Sequence, residues 1–335
     1  MNYHCQLSTT KSLSLMMKSM NVKTEVLHAL IDNPDQYISG VKLANEFNCS
    51  RMAICKAVAS LQQEGYAIES SKRLGYKLSS RSDVLSKVSL EKNINIDGFK
   101  VFFYPEIDST NKKAKELLIS GEQTPFVVVA ETQVAGRGRL GRSFSSPFGG
   151  IYFSIALSGN DVSNPDLITT SASLAVSRAM ERLSGQKTDI KWVNDLYLNG
   201  KKVTGILTEG LVNIEQGGLE HVVIGIGVNL FVKPEQFPAE IQKIATSFYP
   251  DGKCPFSRSE AIAACVREVV NIQKEDFLHE YREKCFVLGK ALFVHRSGCV
   301  REAKALSIDD HGHLVVQYQD DSIEALSSGE VSLKF

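Results

Sequence analysis

The sequence predicts an α+β chain of several domains: an N-terminal winged helix-turn-helix, a central α/β domain with a mixed sheet, and a small C-terminal SH3-like β-barrel. Three observations predict this arrangement. Helical periodicity opens the segment from Val22 to Leu78, strand and helix patterns alternate beyond it, and the last fifty residues carry only short extended segments. The chain has 335 residues, and at roughly 100–200 residues per domain this length predicts two or three domains.

Composition and charge are those of an ordinary soluble globular protein. The 38 Lys and Arg residues balance 38 Asp and Glu residues, and 43% of the chain is hydrophobic. Zero net charge argues against a protein that coats nucleic acid non-specifically, but it leaves room for a local basic surface. No apolar run approaches the ~18 residues of a membrane helix, so no membrane partner is expected. The seven cysteines are scattered without a Cys-x-x-Cys pair, which is typical of the reducing cytoplasm.

The patterns along the chain set four expected boundaries. We expect an extension without fixed structure, a winged helix-turn-helix, a central domain and a barrel, at residues 1–21, 22–80, 83–285 and 286–335. The extension lacks the long apolar region of a secretory signal. Its methionines at positions 16, 17 and 20 precede the first periodic helix, so each is an alternative to Met1 as the translation start.

The winged helix is predicted from three short amphipathic helices and a hairpin. The apolar positions expected to face inward are Val26, Leu27, Leu30 and Ile31 in the first helix, Val41, Leu43, Ala44 and Phe47 in the second, and Ile54, Val58 and Leu61 in the third. Ser50 can cap the third helix, and Gly65 ends it. Two extended pieces, Tyr66–Ser70 and Tyr76–Leu78, then flank a basic turn, which predicts the wing.

Basic residues at the third helix and at the wing predict DNA binding. Arg51, Met52 and Lys56 lie on the outward face near the start of the third helix, the part of a recognition helix that contacts base edges. Lys72 and Arg73 at the wing tip are placed to contact phosphates. Winged helices also serve as protein-docking modules, so that alternative stays open.

The central region alternates strands and helices. Strands are predicted at Phe99–Tyr104, Phe126–Ala130, Ile151–Leu157, Ile190–Val193, Leu196–Leu198, Lys202–Glu209 and His221–Val228. Helices are predicted at Asn111–Ser120, Leu167–Leu183 and Ser257–Tyr281. Asn199-Gly200 is a strong hairpin signal between two of these strands.

The segment Gly136–Arg142 interleaves three glycines with three arginines. Its Gly-x-Gly-x-x-Gly spacing matches the dinucleotide fingerprint, but the residues that follow, Ser143–Gly150, cannot form the helix that this fingerprint must open. A P-loop is excluded because no Gly-Lys-Ser/Thr follows. Arginine forks suit phosphate or carboxylate, and glycine lets backbone N–H groups approach them. The segment therefore predicts an anion-binding loop, with a merely solvated basic loop as the alternative.

Three further clusters carry candidate chemistry. Asp108–Asn111 combines a helix start with short polar side chains, which makes either a recognition corner or only an N-cap. Lys191–Asp195 places a lysine beside the one tryptophan of the chain at a strand end, where a fixed cation could stabilise charge developing on a phosphate. Gly225–Asn229 has two glycines within a strand, which indicates close backbone approach by a ligand or another strand.

Four segments, taken together and in this order, resemble the biotin–protein ligases: Ile107–Asn111, Gly136–Arg139, Lys191–Asp195 and Gly225–Asn229. With the winged helix in front and Gly329–Leu333 near the end, the chain is similar to the bifunctional members of that family, which combine a biotin ligase with a biotin operon repressor. The four motifs are specific in combination, and the resemblance covers nearly all of the chain after the N-terminal extension.

The resemblance implies a two-step reaction and a regulatory role. Biotin reacts with Mg-ATP to give biotinyl-5′-AMP, and the biotinyl group then passes to a lysine of the biotin carboxyl carrier protein of acetyl-CoA carboxylase. Biotin and ATP are thus the implied substrates, and Mg²⁺ is the implied metal. The adenylate-bound protein would form a homodimer that binds the biotin operon operator and represses transcription. The implied location is the cytoplasm.

The same resemblance implies the site residues. The biotin and adenylate site would be formed by Ser109, Thr110, Asn111, Gln133, Gly136, Arg137, Gly138, Arg139, Lys191, Gly225, Gly227 and Asn229. Lys191, Arg137 and Arg139 are the implied catalytic cations. Asp195 is a candidate, from its position alone, for binding Mg²⁺ or for receiving the proton of the acceptor lysine.

Two positions depart from the family pattern. Leu140 stands where another loop arginine is expected, which removes one cation, and Phe144 stands where a tryptophan is expected, which keeps a face for adenine. Two rival functions stay open. A ligand-sensing transcription factor without catalysis is disfavoured by the intact Lys191 and loop arginines, and a lipoate or octanoate ligase is disfavoured by the arginine loop and the winged helix.

Overall fold

The computed structural model describes most of the chain after the N-terminal extension. The described ranges are residues 22–80, 82–213, 217–296 and 299–333. The expected extension over residues 1–21 therefore lies outside the described residues. By its internal contacts the chain divides into two compact units, the first ending at Lys92 and the second beginning at Asn93.

The first unit contains three helices and a hairpin, as predicted. Its elements are α1 (residues 22–32), α2 (Gly40–Glu46), α3 (Arg51–Gln63), β1 (Ile68–Ser71) and β2 (Gly75–Leu78), and β1 pairs antiparallel with β2. Helix α3 begins where Ser50 Oγ accepts a hydrogen bond from the Ala53 N–H at 3.1 Å, so the predicted cap is present. The chain passes into the second unit within helix α4 (Lys87–Ile94).

Helical periodicity predicted the core of this unit at nearly every position. The buried side chains include Val26, Leu27, Leu30, Leu43, Ala44, Ile54, Val58 and Leu61. Val41 is the exception, because it lies in the first turn of α2 with 47% of its surface exposed while Leu43 and Ala44 face inward. Gly75 is required at the start of β2, since it has φ +103° and a Cβ there would overlap the Ile38 carbonyl.

The second unit is built on a mixed seven-stranded sheet with the order β3-β4-β5-β9-β8-β7-β6. Its strands are β3 (Lys100–Ile107), β4 (Phe126–Gln133), β5 (Ile151–Ser158), β6 (Asp189–Lys191), β7 (Asp195–Leu198), β8 (Lys201–Val212) and β9 (Leu219–Val228). Strands β3 and β4 are parallel, and all the other neighbours are antiparallel. Asn199 and Gly200 both have positive φ in the β7–β8 turn, so the predicted hairpin is confirmed.

Four helices accompany this sheet: α5 (Thr110–Ile119), α6 (Ile168–Ser184), α7 (Arg258–Ile272) and α8 (Leu278–Lys284). The prediction of one helix over Ser257–Tyr281 was wrong, because the chain turns between α7 and α8. Gln273 ends α7 with a buried side chain that donates to Ser171 Oγ at 3.1 Å, and Phe277 is buried just before α8. No Gly or Pro marks this turn, so it left no sequence signal.

The C-terminal residues of the second unit form a five-stranded antiparallel sheet with the order β13-β12-β11-β10-β14. Its strands are β10 (Ala291–Arg296), β11 (Cys299–Ile308), β12 (Leu314–Tyr318), β13 (Ile323–Leu326) and β14 (Glu330–Leu333). The small all-β element is therefore present, and its closure into an SH3-like barrel stays a prediction. Among the described residues, no helix is both long and apolar enough to cross a bilayer.

Candidate functional site

One pocket of the second unit brings the four motifs together. Of the predicted site residues, those that line it are Ser109, Thr110, Asn111, Gln133, Arg137, Gly138, Arg139, Lys191, Asp195, Gly225 and Gly227. Gly136 and Asn229 lie outside the lining. Residues from β4, β6, β7, β8, β9, the start of α5 and the start of β14 share the pocket, so segments more than 200 residues apart meet in it.

The first wall is a polar corner at the start of α5. Ser109 caps the helix, its Oγ accepting from the Lys112 N–H at 3.5 Å. The next backbone N–H, that of Thr110, donates to Gln133 Oε1 at 2.8 Å, and Gln133 Nε2 donates to Ser146 Oγ at 2.8 Å. Both amide ends of Gln133 are therefore engaged and its orientation is fixed. The corner offers hydroxyl and amide groups whose geometry is set before any ligand arrives.

The second wall is the glycine–arginine loop, residues 136–142, which folds as a tight hairpin. The Gly138 N–H donates to the Arg142 carbonyl at 2.8 Å, and the Phe144 N–H donates to the Gly136 carbonyl at 2.9 Å. Gly136 acts within the loop, because a Cβ there would overlap the Phe144 carbonyl. Leu140 occupies the apex with φ +55° and 70% of its surface exposed, so this chain places an apolar tip where the family pattern predicts a cation.

The loop arginines face different surroundings. Arg139 points inward and donates from Nη1 to Asn194 Oδ1 at 3.2 Å, and burial lowers the pKa of its guanidinium. Arg142 points outward and pairs with Glu330 at the start of β14. Arg137 is exposed at the pocket wall. Arg139 is thus the arginine already held inside the site, and Arg137 remains accessible to an anion.

Lys191 supplies the cation of the third wall. It ends β6, where Asp195 is its cross-strand partner, and burial lowers the pKa of its ammonium group. The Asp195 carboxylate is paired with Lys202, whose Nζ lies 2.7 Å from Oδ1. Lys191 Nζ also lies 6.0 Å from the centre of the Tyr197 ring. Two lysines therefore flank one carboxylate, which leaves this wall with a net positive charge.

The glycines of β9 make room for side chains from other elements. A Cβ at Gly225 would overlap the Asn111 amide oxygen, and a Cβ at Gly227 would overlap the Phe144 ring. Gly205, the cross-strand partner of Gly227, leaves the other half of the space for the same ring. The groups that approach these glycines are side chains of the chain itself, from α5 and from Phe144, and not another strand. Close approach by a ligand stays a prediction.

Asn229 directly follows β9, is buried, and forms hydrogen bonds within the fold. Its Nδ2 donates to the Thr246 carbonyl at 3.0 Å, and its backbone N–H donates to the Val203 carbonyl at 2.8 Å. These contacts hold the segment after β9 against β8. A direct contact of Asn229 with a ligand therefore remains a prediction without geometric support from the pocket lining.

The carboxylate of Asp195, which is the predicted magnesium ligand, is already paired with Lys202. Within the described residues, no group of three or more His, Cys, Asp or Glu side chains could hold a metal ion. Magnesium usually keeps several waters and binds through one or two carboxylates together with substrate phosphates. The single carboxylate of Asp195 suits that arrangement only if the ion shares it with Lys202.

The first unit exposes the residues predicted to bind DNA. Arg51, Met52 and Lys56 are exposed on α3, with 67% of the Met52 surface accessible, and Lys72 and Arg73 are exposed in the β1–β2 turn. The inner face of α3 is buried in the core of the unit, so the outer face is free to enter a groove. These residues are therefore exposed as the prediction requires, and their contact with DNA stays a prediction.

Sequence reasoning missed six residues of the site or its support: Ser146, Ser154, Tyr197, Lys202, Glu209 and Glu330. The sequence could have indicated one of them, Ser154. It is a polar residue within the apolar run Ile151–Leu157, and a buried hydroxyl needs a hydrogen-bond partner. Lys202 meets the pocket through strand register, for which the sequence offers no pattern. Glu330 lies within the Gly329–Leu333 segment of the resemblance, but its place in the pocket follows from tertiary packing.

Comparison with known proteins agrees with this geometry. Three segments match family models: residues 23–77 match an HTH domain, residues 103–229 the biotin/lipoate A/B protein ligase family, and residues 296–334 the biotin protein ligase C terminal domain. The chain is 30% identical over 316 residues to the bifunctional ligase/repressor BirA of Bacillus subtilis (strain 168), covering 89% of this chain and 94% of that protein.

Two further relatives extend the comparison. The bifunctional ligase/repressor BirA of Escherichia coli (strain K12) is 28% identical over 331 residues, covering 95% of this chain and 99% of that protein. The solved structure of the biotin protein ligase from Aquifex aeolicus in complex with biotin and ATP aligns with a TM-score of 0.60 and 27% identity. It covers 70% of this chain and 98% of that chain.

The chain has the features of a ligase of the biotin/lipoate type that carries an N-terminal helix-turn-helix: a mixed sheet, the glycine–arginine loop and the pocket wall with Lys191. Within that class, the chain belongs to the biotin protein ligase family, among its bifunctional ligase/repressors.

Proposed function

We propose that the chain is an ATP-dependent biotin–protein ligase that also represses the biotin biosynthetic operon when it holds biotinyl-5′-AMP. The proposed ligase activity rests on one observation. Thr110 and Gln133 of the polar corner line the same pocket as the cations Arg139 and Lys191. A polar corner suits the ring of biotin, and fixed cations suit its carboxylate and a phosphate. The pocket thus has both ends that the reaction needs.

In the first step, a carboxylate oxygen of biotin attacks the α-phosphorus of ATP. The bond from that phosphorus to the bridging oxygen of pyrophosphate breaks, and pyrophosphate leaves with the electron pair. Both reactants are anionic and repel each other, so Lys191, Arg137 and Arg139 act by screening them and by stabilising charge in the transition state. Removing one such group typically costs about 3–4 kcal/mol of activation free energy.

Mg²⁺ bound with the triphosphate would supply further charge neutralisation there. Asp195 is the carboxylate that would face the ion, and it would have to exchange part of its pairing with Lys202. Lys202 lines the pocket and is a further cation there. These assignments rest on the chemistry of the donor set and on the position of Asp195 beside Lys191.

The remaining predicted site residues bind the ring of biotin or cover the adenylate. Ser109, Thr110, Asn111 and Gln133 orient the ring of biotin, and Gly225 leaves the space that Asn111 needs. Gly138 and the loop backbone cover the adenylate, with Gly136 holding the loop hairpin together. Closing this loop excludes water, which would otherwise hydrolyse the mixed anhydride. Phe144, seated over Gly227, offers the aromatic face against which adenine packs.

In the second step, the neutral amine of a carrier lysine attacks the acyl carbon of the adenylate. The bond from that carbon to the AMP oxygen breaks, an amide forms and AMP leaves. The amine must lose a proton, and Asp195, one of the carboxylates that line the pocket, is our candidate to accept it. The acceptor is the biotin carboxyl carrier protein of acetyl-CoA carboxylase, which the name of a relative, the biotin–[acetyl-CoA-carboxylase] ligase of Paracoccus denitrificans, supports.

The repressor half uses the winged helix. Arg51, Met52 and Lys56 contact base edges, and Lys72 and Arg73 contact phosphates of the operator. Adenylate-bound protein forms a homodimer, so that two winged helices span a palindromic site. The HTH match and the bifunctional relatives support this role. The reaction takes place in the cytoplasm, which suits the six described cysteines, since they form no disulfide with one another.

The proposed domain limits follow the functions. The winged helix spans residues 22–80, the catalytic domain 83–285, and the C-terminal barrel 286–335, after an extension over residues 1–21. The family matches at residues 23–77, 103–229 and 296–334 each fall inside one of these limits.

The ligase half is tested by the intact mass of a purified biotin-carrier domain after incubation with this protein, biotin and Mg-ATP. We expect a gain of one biotinyl group that requires ATP. Parallel incubations with lipoate or octanoate should leave the mass unchanged. A gain with lipoate and none with biotin would transfer the assignment to the lipoate ligases, and no gain with bound biotin would favour a sensor without catalysis.

The repressor half is tested by a gel shift on the promoter region of the biotin operon from the source genome. We expect retardation that requires both biotin and ATP, together with a change from monomer to dimer in light scattering under the same conditions. Retardation that is indifferent to biotin and ATP would contradict the corepressor role.

A further inference from the structure

We propose that Asn194 is a positioning residue that holds the Arg139 guanidinium inside the pocket and leaves its positive charge free for an anionic substrate. Arg139 Nη1 donates to Asn194 Oδ1 at 3.2 Å, and both residues line the pocket. The inference rests on the proposed function, because it says how one of the proposed cations is held in place for the triphosphate.

The orientation of the Asn194 amide is fixed by strand β8. Its Nδ2 donates at 2.8 Å to the carbonyl of Ile206, a group that can only accept. The Ile206 N–H donates in return to the Asn194 carbonyl at 3.1 Å. The NH₂ end of the amide therefore faces β8, and its oxygen is the end left for Arg139. Asn194 lies in the turn between β6 and β7, three residues after Lys191, so this turn carries one cation and fixes another.

The Arg139 side chain depends on this contact. Among the described residues, Asn194 Oδ1 is the one acceptor within hydrogen-bond distance of its guanidinium. The group has five N–H donors, and the contact occupies a single terminal nitrogen. The other donors stay available for a phosphate or a carboxylate, and the fork of an arginine suits both. Removing the Asn194 oxygen would therefore release the side chain from its polar partner while leaving the loop backbone intact.

The chemical point is that this partner is neutral, although carboxylates lie close by. Asp195 and Glu330 favour the charged form of Arg139, while burial lowers its pKa. Both carboxylates are already paired with other cations, since Asp195 Oδ1 lies 2.7 Å from Lys202 Nζ and Glu330 binds Arg142. An arginine bound directly to a carboxylate brings no net charge to a pocket, whereas an arginine held by an amide keeps its charge.

Holding the guanidinium before the substrate arrives lowers the cost of binding. A free arginine side chain has many rotamers, and a ligand that has to order it loses part of the interaction free energy in doing so. Asn194 fixes the group at the protein's own cost. Arg139 therefore meets the substrate as a placed cation with unused donors, and Asn194 acts on the reaction through it.

The test is Asn194→Ala, assayed by pyrophosphate release at saturating biotin with ATP varied. We expect kcat/KM for ATP to fall at least about tenfold, which is typical of losing a hydrogen bond to a charged group. Asn194→Asp should lower it further, because a carboxylate keeps an acceptor for Arg139 but cancels its charge. The matched control is Asn33→Ala in the first unit, which removes an amide-to-carbonyl hydrogen bond of 2.9 Å and should change kcat/KM less than twofold.

An Arg139→Ala background separates the positioning of Arg139 from damage to the turn. Asn194→Ala also removes the bond to Ile206, and a shift of Lys191 in the same turn would slow the reaction by another route. If Asn194 acts through Arg139, adding Asn194→Ala to Arg139→Ala should lower kcat/KM for ATP less than about twofold further. Equal falls in the two backgrounds would overturn the inference.

The remaining outcomes are equally decisive. A fall in Asn194→Asp no larger than that in Asn194→Ala would contradict the need for a neutral acceptor. If Asn194→Ala does not fold, Asn194→Ser, whose hydroxyl is too short to bridge Arg139 and Ile206 together, gives the same comparison in the two backgrounds. Wild-type protein that fails to form the adenylate would overturn the proposed function itself, whereas an active wild type with additive variants would overturn only the role of Asn194.

Discussion

Arg142 and Glu330, separated by 188 residues, form a two-pronged ion pair in which both terminal guanidinium nitrogens reach the two carboxylate oxygens. The pair ties the end of the glycine–arginine loop to the start of β14. Gly329 and Val331 on either side of Glu330 line the same pocket. The C-terminal sheet therefore contributes a wall of the site, and the loop has a fixed anchor on that wall.

Breaking this anchor should weaken ATP binding modestly. Arg142 is 64% exposed and Glu330 is 27% exposed at the side chain, so the pair is screened by water. Such pairs contribute about 1 kcal/mol at most, which is about a fivefold change in a binding constant. We expect Glu330→Gln to raise the KM for ATP by up to that factor, and Arg142→Gln added to it to have little further effect. Glu324→Gln is the control, because Glu324 pairs with Arg296 away from the pocket. Equal changes in both glutamate variants would contradict the anchor.

Lys191 should be required for the first chemical step. Its ammonium group is the half-buried cation at the strand end that faces the pocket, and the loss of such a group typically costs about 10²–10³ in rate. We expect Lys191→Ala to slow pyrophosphate release by that factor. Lys187→Ala, four residues earlier and exposed, should change the rate less than twofold. Adenylate formation at the wild-type rate in Lys191→Ala would refute the role of this cation.

The same lysine should give the first step an alkaline limit. Burial lowers the pKa of Lys191, so its ammonium form is lost at a lower pH than that of an exposed lysine. A rise in pH through this lowered pKa removes the screening charge, and kcat/KM for adenylate formation should fall there, because that parameter reports the free enzyme. Lys191→Arg keeps its charge over the whole range and should lose this limb. An unchanged alkaline limb in Lys191→Arg would assign it to another group.

Local patterns predicted the parts of the molecule that obey a local rule. The 3.6-residue period identified Ile54, Val58 and Leu61 as the inner face of α3, and the structure buries all three. Asn199-Gly200 predicted its hairpin because that turn needs positive φ at both positions. The same reasoning failed at Val41, which is exposed in the first turn of α2 although Ala44, three residues later on the same helix, is buried.

The sequence motifs predicted residues that line the pocket, but they did not predict which distant residues form hydrogen bonds with them. Gln133 was assigned to the pocket together with Ser109, Thr110 and Asn111, and all four line it. Glu209 was missed because it meets Asn111, 98 residues away, only when strand β8 takes the register that the sheet imposes. A one-residue slip would turn its side chain to the other face of the sheet.

The two β9 glycines should respond differently to a methyl group. Gly225→Ala would displace the Asn111 amide, so it should raise the KM for biotin. Gly227→Ala would displace the Phe144 ring, so it should raise the KM for ATP. We expect about a tenfold rise in each case, with the other substrate affected less than threefold, because shifting one well-packed group costs roughly 1–3 kcal/mol. Gly210→Ala is the control, since its Cβ would meet only the flexible end of Leu219, at 2.8 Å. Identical profiles for the first two variants would show that the strand responds as a unit.

Salt dependence should separate the two kinds of DNA contact in the first unit. Lys72 is exposed at the wing tip, where we propose a phosphate contact, which would release counterions; Arg51 is exposed at the start of α3, where we propose a contact with base edges. Lys72→Ala should weaken operator and random DNA alike and reduce the slope of log K against log salt by about 1 for each protomer. Arg51→Ala should instead cost about 1–3 kcal/mol of preference for the operator.

The measurement is fluorescence anisotropy of labelled operator and scrambled duplexes, titrated with biotinyl-AMP-loaded protein at several salt concentrations. Lys87→Ala provides the control, because Lys87 lies on α4, pairs with Glu91 at 3.6 Å and belongs to neither the helix nor the wing. It should leave both the slope and the preference unchanged. If Arg51→Ala lowered the affinity for both duplexes equally, Arg51 would be a phosphate contact, and base readout would have to come from Met52 and Lys56, its exposed neighbours on the same helix.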